Sequence, residues 1–173
     1  KNITHVDGSI DPVRDVETIE TELLLADIMT LEKRKHKVEK LARSGDKEAK
    51  DSLYILDLLL KHCSDGNAAR LLEVDDEYNQ FKRSLQLLTE KPVLYIANTS
   101  EAETMEGNTG EHVRSLEEYA LKENNIVISL CSSIEQEIAL LKEEEKPIFL
   151  KEYGLSEPGL NKVIRSSFKL LGL

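Results

Sequence analysis

The sequence predicts an α/β protein, a piece of parallel sheet with helices that is interrupted by a long helical hairpin. Three observations predict it. Up to Leu87 the apolar residues recur at helical spacing, in long runs joined by a short connection. From Lys91 the pattern changes to strand, helix, strand, helix, the rhythm of a parallel sheet. Both strands end abruptly in small polar residues, and ligands of open α/β sheets sit beyond such ends.

The first helix starts in "GSIDPVRDVETIE", where Asp11 can cap and Pro12 suits the first helical position. Leu24, Ile28, Leu31, Val38, Leu41 and Ala42 follow, spaced close to a coiled-coil seam and broken at Lys35. From Val13 to Ala42 this makes about 30 residues, or ~45 Å of helix. "RSGD" stops it, with Gly45 just past the end and Asp46 placed to cap the next helix. There Ala49, Leu53, Leu56, Leu60 and Cys63 form one apolar stripe. So short a connection forces the two helices antiparallel. "CSDGN", Cys63 to Asn67, ends the second, and a shorter helix is expected near Asp75 to Leu87.

Val93 to Ala97 reads as a short strand, followed by a polar loop, "NTSEAETMEGNTG". A helix over Glu111 to Glu123 leads to a second strand, Ile126 to Leu130, which ends in "CSS". Helices are expected over Ile134 to Leu141, Glu143 to Tyr153 and Pro158 to Leu171. No internal repeat or low-complexity segment is visible.

The chain has 173 residues, 23 Lys+Arg against 33 Asp+Glu, and a formal net charge of −10. That length fits one domain, or one domain with an insertion. The acidic balance argues against broad nucleic-acid coating, so DNA is not an expected partner, but it leaves room for a local basic patch. No apolar run approaches the ~20 residues of a membrane span, and no signal peptide is visible, so no membrane partner is expected. The chain opens at Lys1 without Met and closes on Leu173 straight after a helical pattern; both ends read as cut, and an internal piece of a longer protein is expected. Cys63 and Cys131 lack CxxC partners and read as buried free thiols in a reducing cytoplasm. Asn2-Ile3-Thr4 and Asn98-Thr99-Ser100 match the glycosylation pattern, whose machinery a cytoplasmic chain does not meet. His5, His36, His62 and His112 have no metal-like spacing, so no metal site is expected.

The first strand runs "PVLYIANTSE", with Asn98 at its end and Glu101 three residues on. One tight loop can thus present an amide and a carboxylate. A planar base is read by side chains of this kind, because its edge carries donors and acceptors at fixed positions. An Asn amide can satisfy both kinds at once. Small residues after the second strand would let backbone N–H groups close on the same base. Taken alone, such a loop is most often an ordinary turn or helix cap. The basic run "EKRKHKVEK", Glu32 to Lys40, also has two readings. Lys33, Arg34, Lys35 and Lys37 can complement the helix dipole and solvate an exposed face, or they can meet phosphates.

Two longer stretches carry a resemblance. "NITHVDGSIDPVRDVETIETELLLADI", Asn2 to Ile28, resembles the signature that follows the switch region in YchF-type NTPases, a branch of the Obg family of translation-associated P-loop proteins. "GLSEPGLNKVIRSSFKLLGL", Gly154 to Leu173, resembles the end of their nucleotide domain. The resemblance covers essentially the whole chain. It implies a partial nucleotide-binding domain over residues 1–18 and 88–173, and an inserted helical, coiled-coil domain over 19–87. It also implies a cytoplasmic protein that binds and hydrolyses ATP, or GTP, and that contacts the ribosome or ribosomal RNA, with Lys33, Arg34, Lys35 and Lys37 as candidate contacts.

Ordinary GTPases of this class carry N-K-x-D where this chain has Asn98-Thr99-Ser100-Glu101. Glu for Asp adds a methylene, which misplaces the carboxylate and costs it bidentate pairing with guanine. By resemblance Asn98 contacts the base edge, Thr99 contributes its backbone, and Glu101 shapes the loop rather than reading guanine. Cys131, Ser132 and Ser133 align with the second base-contacting loop. Hydrolysis needs a phosphate cradle, G-x-x-x-x-G-K-[ST]. The nearest match, Gly154 to Gly159, has Leu160 and Asn161 in place of Lys and Ser/Thr. No catalytic residue is therefore expected in this chain, the Mg²⁺ ligands are expected outside it, and the chain alone is expected to be inactive. Two alternatives stand beside this reading: a coiled-coil interaction module with a vestigial or accessory nucleotide site, and a GTP-specific GTPase of the same fold.

Overall fold

A computed structural model describes residues 10–105, 107 and 110–173. The stretch 1–9, with His5, Asn2-Ile3-Thr4 and the start of the Asn2–Ile28 signature, lies outside the described residues, as do Glu106, Asn108 and Thr109. The chain divides into two compact units: Lys1–Arg14 with Val93–Leu173, and Asp15–Pro92. The resemblance puts the boundaries after residues 18 and 87.

The Asp15–Pro92 unit is helical. Helix α1 (Pro12–Ala42) begins where Asp11 Oδ1 accepts from Arg14 N at 3.1 Å. Leu31 and Val38 are buried as the spacing predicts, but Leu41 is 57% exposed. Ala42 joins the core near the turn instead, because the 4-3 spacing of Leu24, Ile28, Leu31, Lys35 and Val38 continues to position 42 and not to 41. Lys35, which interrupts the stripe, pairs with Asp57 at 2.7 Å. Gly45 takes φ +93°, a conformation that favours glycine, and Asp46 caps helix α2 (Lys47–Ser64) by accepting from Ala49 N at 3.0 Å. The buried face of α2 is Ala49, Ile55, Leu56, Leu59 and Cys63, with Leu53 and Leu60 only half-buried. That face is wider than the predicted stripe because α2 also meets a 3-10 turn, Ala69–Leu71, and helix α3 (Asp76–Ser84). Helix α3 stops short of Leu87, and Gln86 follows at φ +52°.

One buried charge organises this unit. Asp27 is 2% exposed, and its carboxylate accepts from Leu88 N at 2.7 Å, Thr89 N at 2.8 Å and Thr89 Oγ1 at 2.7 Å. Thr89 Oγ1 in turn accepts from Ala69 N at 2.9 Å. A buried carboxylate is tolerated when donors surround it in this way. Burial, helped by the nearby Asp27 charge, pushes the Cys63 thiol up to about 11.

The other unit is built on two parallel strands, β1 (Leu94–Asn98) and β2 (Ile126–Leu130), in register from Leu94↔Ile126 to Asn98↔Leu130. Strand β1 runs one residue later than predicted, so Asn98 is its last residue. The expected polar loop contains a short helix, α4 (Glu101–Met105). Ser100 and Glu103 start it as a capping box: Ser100 N donates to Glu103 Oε2 at 2.8 Å, and Glu103 N donates to Ser100 Oγ at 3.3 Å. Helices α5 (Glu111–Leu121), α6 (Ser132–Leu140), α7 (Lys146–Glu152) and α8 (Gly159–Leu171) complete the unit. Helix α6 starts two residues before the predicted Ile134, which puts Ser132 and Ser133 in its first turn. Helix α7 starts after the acidic run, with Glu145 accepting from Lys142 N at 3.0 Å in the preceding turn. Helices α5 and α8 both pack on β2.

Candidate functional site

The two strand ends are cross-linked by side chains. Asn98 Oδ1 accepts from Ser132 N at 3.0 Å and from Ser132 Oγ at 2.7 Å. Glu101 Oε1 accepts from Ser133 Oγ at 2.7 Å. Thr99 N donates to Leu130 O at 2.8 Å, continuing the strand pairing into the loop. A backbone N–H can only donate, so the Asn98 atom facing Ser132 is the oxygen and Nδ2 faces the other way. Among the described residues Nδ2 has no partner. The expectation that the Asn98 amide gives and accepts on one base therefore needs correction: its acceptor is committed to Ser132, and its donor is what remains.

Alternation along the chain sends Asn98 and Thr99 to opposite faces. Thr99 Oγ1 lies 3.2 Å from Thr104 Oγ1. On that face a cavity of about 220 Å³ is lined by Thr99, Ser129, Cys131, Glu135 and Leu155, among others, but not by Asn98, Glu101, Ser132 or Ser133. Cys131 is 4% exposed, its Sγ is 3.1 Å from Ser133 Oγ, and it packs with Ile134, Ile138, Phe149 and Tyr153. The six predicted site residues thus fall into three groups. Asn98 with Ser132 and Glu101 with Ser133 form two exposed hydrogen-bonded pairs, Thr99 turns away, and Cys131 belongs to the core beneath.

Two acidic residues were not singled out from the sequence. The Ser100 N–H, and then its hydroxyl, hold the Glu103 carboxyl below the usual carboxylate range. Its signal was legible, since S-x-x-E is a helix-start pattern. Glu135 accepts from Gly159 N at 2.6 Å and from Leu160 N at 3.0 Å, closing the start of α8. Nothing local in the sequence points to that pairing.

Along α1, Lys33, Arg34 and Lys37 are exposed and have no ion-pair partner among the described residues. Lys35 is half-buried and pairs with Asp57 at 2.7 Å. Among the described residues no group of three His, Cys, Asp or Glu is placed to hold a metal ion. No described helix is long and apolar enough to cross a membrane.

No family model matches the chain. Its fold is similar to the structure of the Schizosaccharomyces pombe YchF GTPase, with a TM-score of 0.86 over 98% of this chain and 47% of that one, at 24% identity. The parallel strand pair and its helices are therefore part of a P-loop NTPase fold, carrying an inserted helical hairpin. In sequence the chain is 46% identical to the ribosome-binding ATPase YchF of Bacillus subtilis and 42% identical to that of Escherichia coli O157:H7, each over 99% of this chain and 47% of the relative. It is 38% identical to that of Mycoplasma genitalium over 100% of this chain and 47% of the relative. The chain is thus similar to YchF proteins along essentially its whole length. It spans about half the length of the curated relatives it matches.

Proposed function

We propose that this chain carries the base-contacting half of a nucleotide site, within a cytoplasmic, translation-associated protein that hydrolyses ATP and contacts the ribosome. Residues 1–18 and 88–173 belong to the nucleotide domain, and 19–87 form the inserted helical domain. The observation that carries the reading is the tie from Asn98 Oδ1 to Ser132, which leaves Nδ2 as a fixed donor at a strand end. A purine offers ring-nitrogen acceptors to such a donor. Thr99 N is used by Leu130, so its carbonyl is the backbone group left to meet an exocyclic amino group. Glu101 is engaged by Ser133, which supports a loop-shaping role and disfavours two-oxygen pairing with guanine. The relatives named ribosome-binding ATPases support the same choice of base and partner.

Triphosphate and Mg²⁺ are assigned to residues beyond this sequence, because it holds no G-x-x-x-x-G-K-[ST] run. The chain by itself is expected not to hydrolyse nucleotide. Ribosome contact is assigned to Lys33, Arg34 and Lys37, which are exposed along one helix.

A reciprocal experiment in the full-length protein tests both halves. Asn98→Ala should weaken nucleotide binding about tenfold, the size of a lost hydrogen bond with its desolvation cost, and leave ribosome co-sedimentation in place. Reversing Lys33, Arg34 and Lys37 to Glu should do the opposite. Unchanged calorimetric affinity in Asn98→Ala contradicts the base site, and unchanged co-sedimentation in the triple variant contradicts the ribosome contact.

A further inference from the structure

A helix start leaves N–H groups without partners, and Pro158, the residue before α8, supplies no side-chain acceptor. The acceptors come from another helix. Glu135 takes both Gly159 N and Leu160 N on its two carboxylate oxygens, at 2.6 and 3.0 Å. An anion at a helix start is favoured by the dipole, and charge-assisted bonds are the stronger kind. Glu135 lies in the first turn of α6, where its own N–H donates to Cys131 O at 3.0 Å. The same turn carries Ser132 and Ser133, which hold Asn98 and Glu101.

Gly159 closes the arrangement from the other side. It is buried, and a Cβ there would stand 2.9 Å from Leu130 Cβ and 2.9 Å from Glu135 Oε1. Leu130 ends β2, and its carbonyl accepts from Thr99 N. The start of α8 is therefore wedged between the Glu135 carboxylate and the end of the strand, and both lead directly into the candidate base loops.

We infer that Glu135 and Gly159 form a clamp that sets the position of the Cys131–Ser133 loop and, through Ser132, the direction of the Asn98 donor. They are positioning residues that do not touch the base, and the inference rests on the reading of the strand ends as a base site. Glu135→Gln keeps the side-chain shape but removes the charge and one of the two acceptors. Gly159→Ala keeps every hydrogen-bonding group and adds a single methyl where there is no room.

The test uses the full-length protein with a fluorescent nucleotide analogue displaced by ATP and by GTP. Glu135→Gln should weaken affinity about tenfold, matching one charge-assisted hydrogen bond. It should also shift the ATP-to-GTP affinity ratio and speed hydrogen exchange at Ser132 and Ser133. Gly159→Ala should shift the ratio in the same way, and it carries the test if Glu135→Gln does not fold. A merely structural helix cap would lower the melting temperature and leave the ratio and the exchange unchanged; that result overturns the clamp. Unchanged binding in both clamp variants with Asn98→Ala impaired also overturns it, while the base site stands. Unchanged binding in all three overturns the clamp and the base site together.

Discussion

Among the described residues, the largest fully buried side chains Leu31, Ile55, Leu56, Leu59, Leu87, Asp27 and Cys63 lie in the helical unit, and Ile134 alone lies in the sheet unit. The helical unit closes a core around α2 and pins its last loop to α1 through one carboxylate. The sheet unit has two strands on which Ile128 is buried but Ile96 is 51% exposed. A two-stranded sheet is marginal without further cover. Its strand ends are held instead by Asn98, Glu101, Ser132, Ser133 and Glu135, in polar bonds worth about 1 kcal/mol each. Packing therefore fixes the helical unit, while a few exchangeable hydrogen bonds fix the candidate site. Substitutions in the helical unit should show in stability, and substitutions at the strand ends should show in binding.

The largest effect that separates the two regions is expected at Asp27. Asp27→Ala leaves Leu88 N, Thr89 N and Thr89 Oγ1 without their buried acceptor. It should cost about 3 kcal/mol of stability in urea unfolding, with nucleotide affinity little changed in the protein that remains folded. A loss under about 1 kcal/mol would mean that water satisfies those donors and that the contrast between the units is overstated.

The smallest effect is expected at Glu103. Its folded-state carboxyl is held below the ordinary range by the Ser100 N–H and then by the Ser100 hydroxyl. A depressed carboxylate stabilises the fold above its unfolded-state value, and that contribution is lost as pH falls through the folded one. Glu103 is half-buried and still open to water, so solvent screening keeps the contribution to about 0.5 kcal/mol or less. An NMR titration should show the Glu103 carboxyl and the Ser100 amide moving together below the usual glutamate midpoint. A midpoint at the usual value would remove the capping box from the account of α4.

The parts of the fold legible in the sequence depend on near neighbours. Asp11-Pro12, Gly45-Asp46 and the run Ile126–Leu130 each act within a few residues, and the structure places a helix start, a turn and a strand there. Leu41 misled because it is apolar but falls one residue short of position 42, where the 4-3 spacing of Leu24, Ile28, Leu31, Lys35 and Val38 continues. Asp27 and Glu135 were not legible, since their partners lie 61 and 24 residues away along the chain. At the candidate site the residue types at the strand ends were readable from Asn98 and Glu101. Their orientation was not, because it is set by Ser132 and Ser133 on the neighbouring strand end.

Asn98-Thr99-Ser100-Glu101 is proposed to hold a base without reading guanine. The most direct measurement is a competition titration on the full-length protein in Mg²⁺, with ATP and GTP displacing one fluorescent nucleotide analogue. Tighter displacement by ATP is the predicted result. Tighter displacement by GTP would contradict it and would mean that Glu101 leaves Ser133 to pair with the guanine edge.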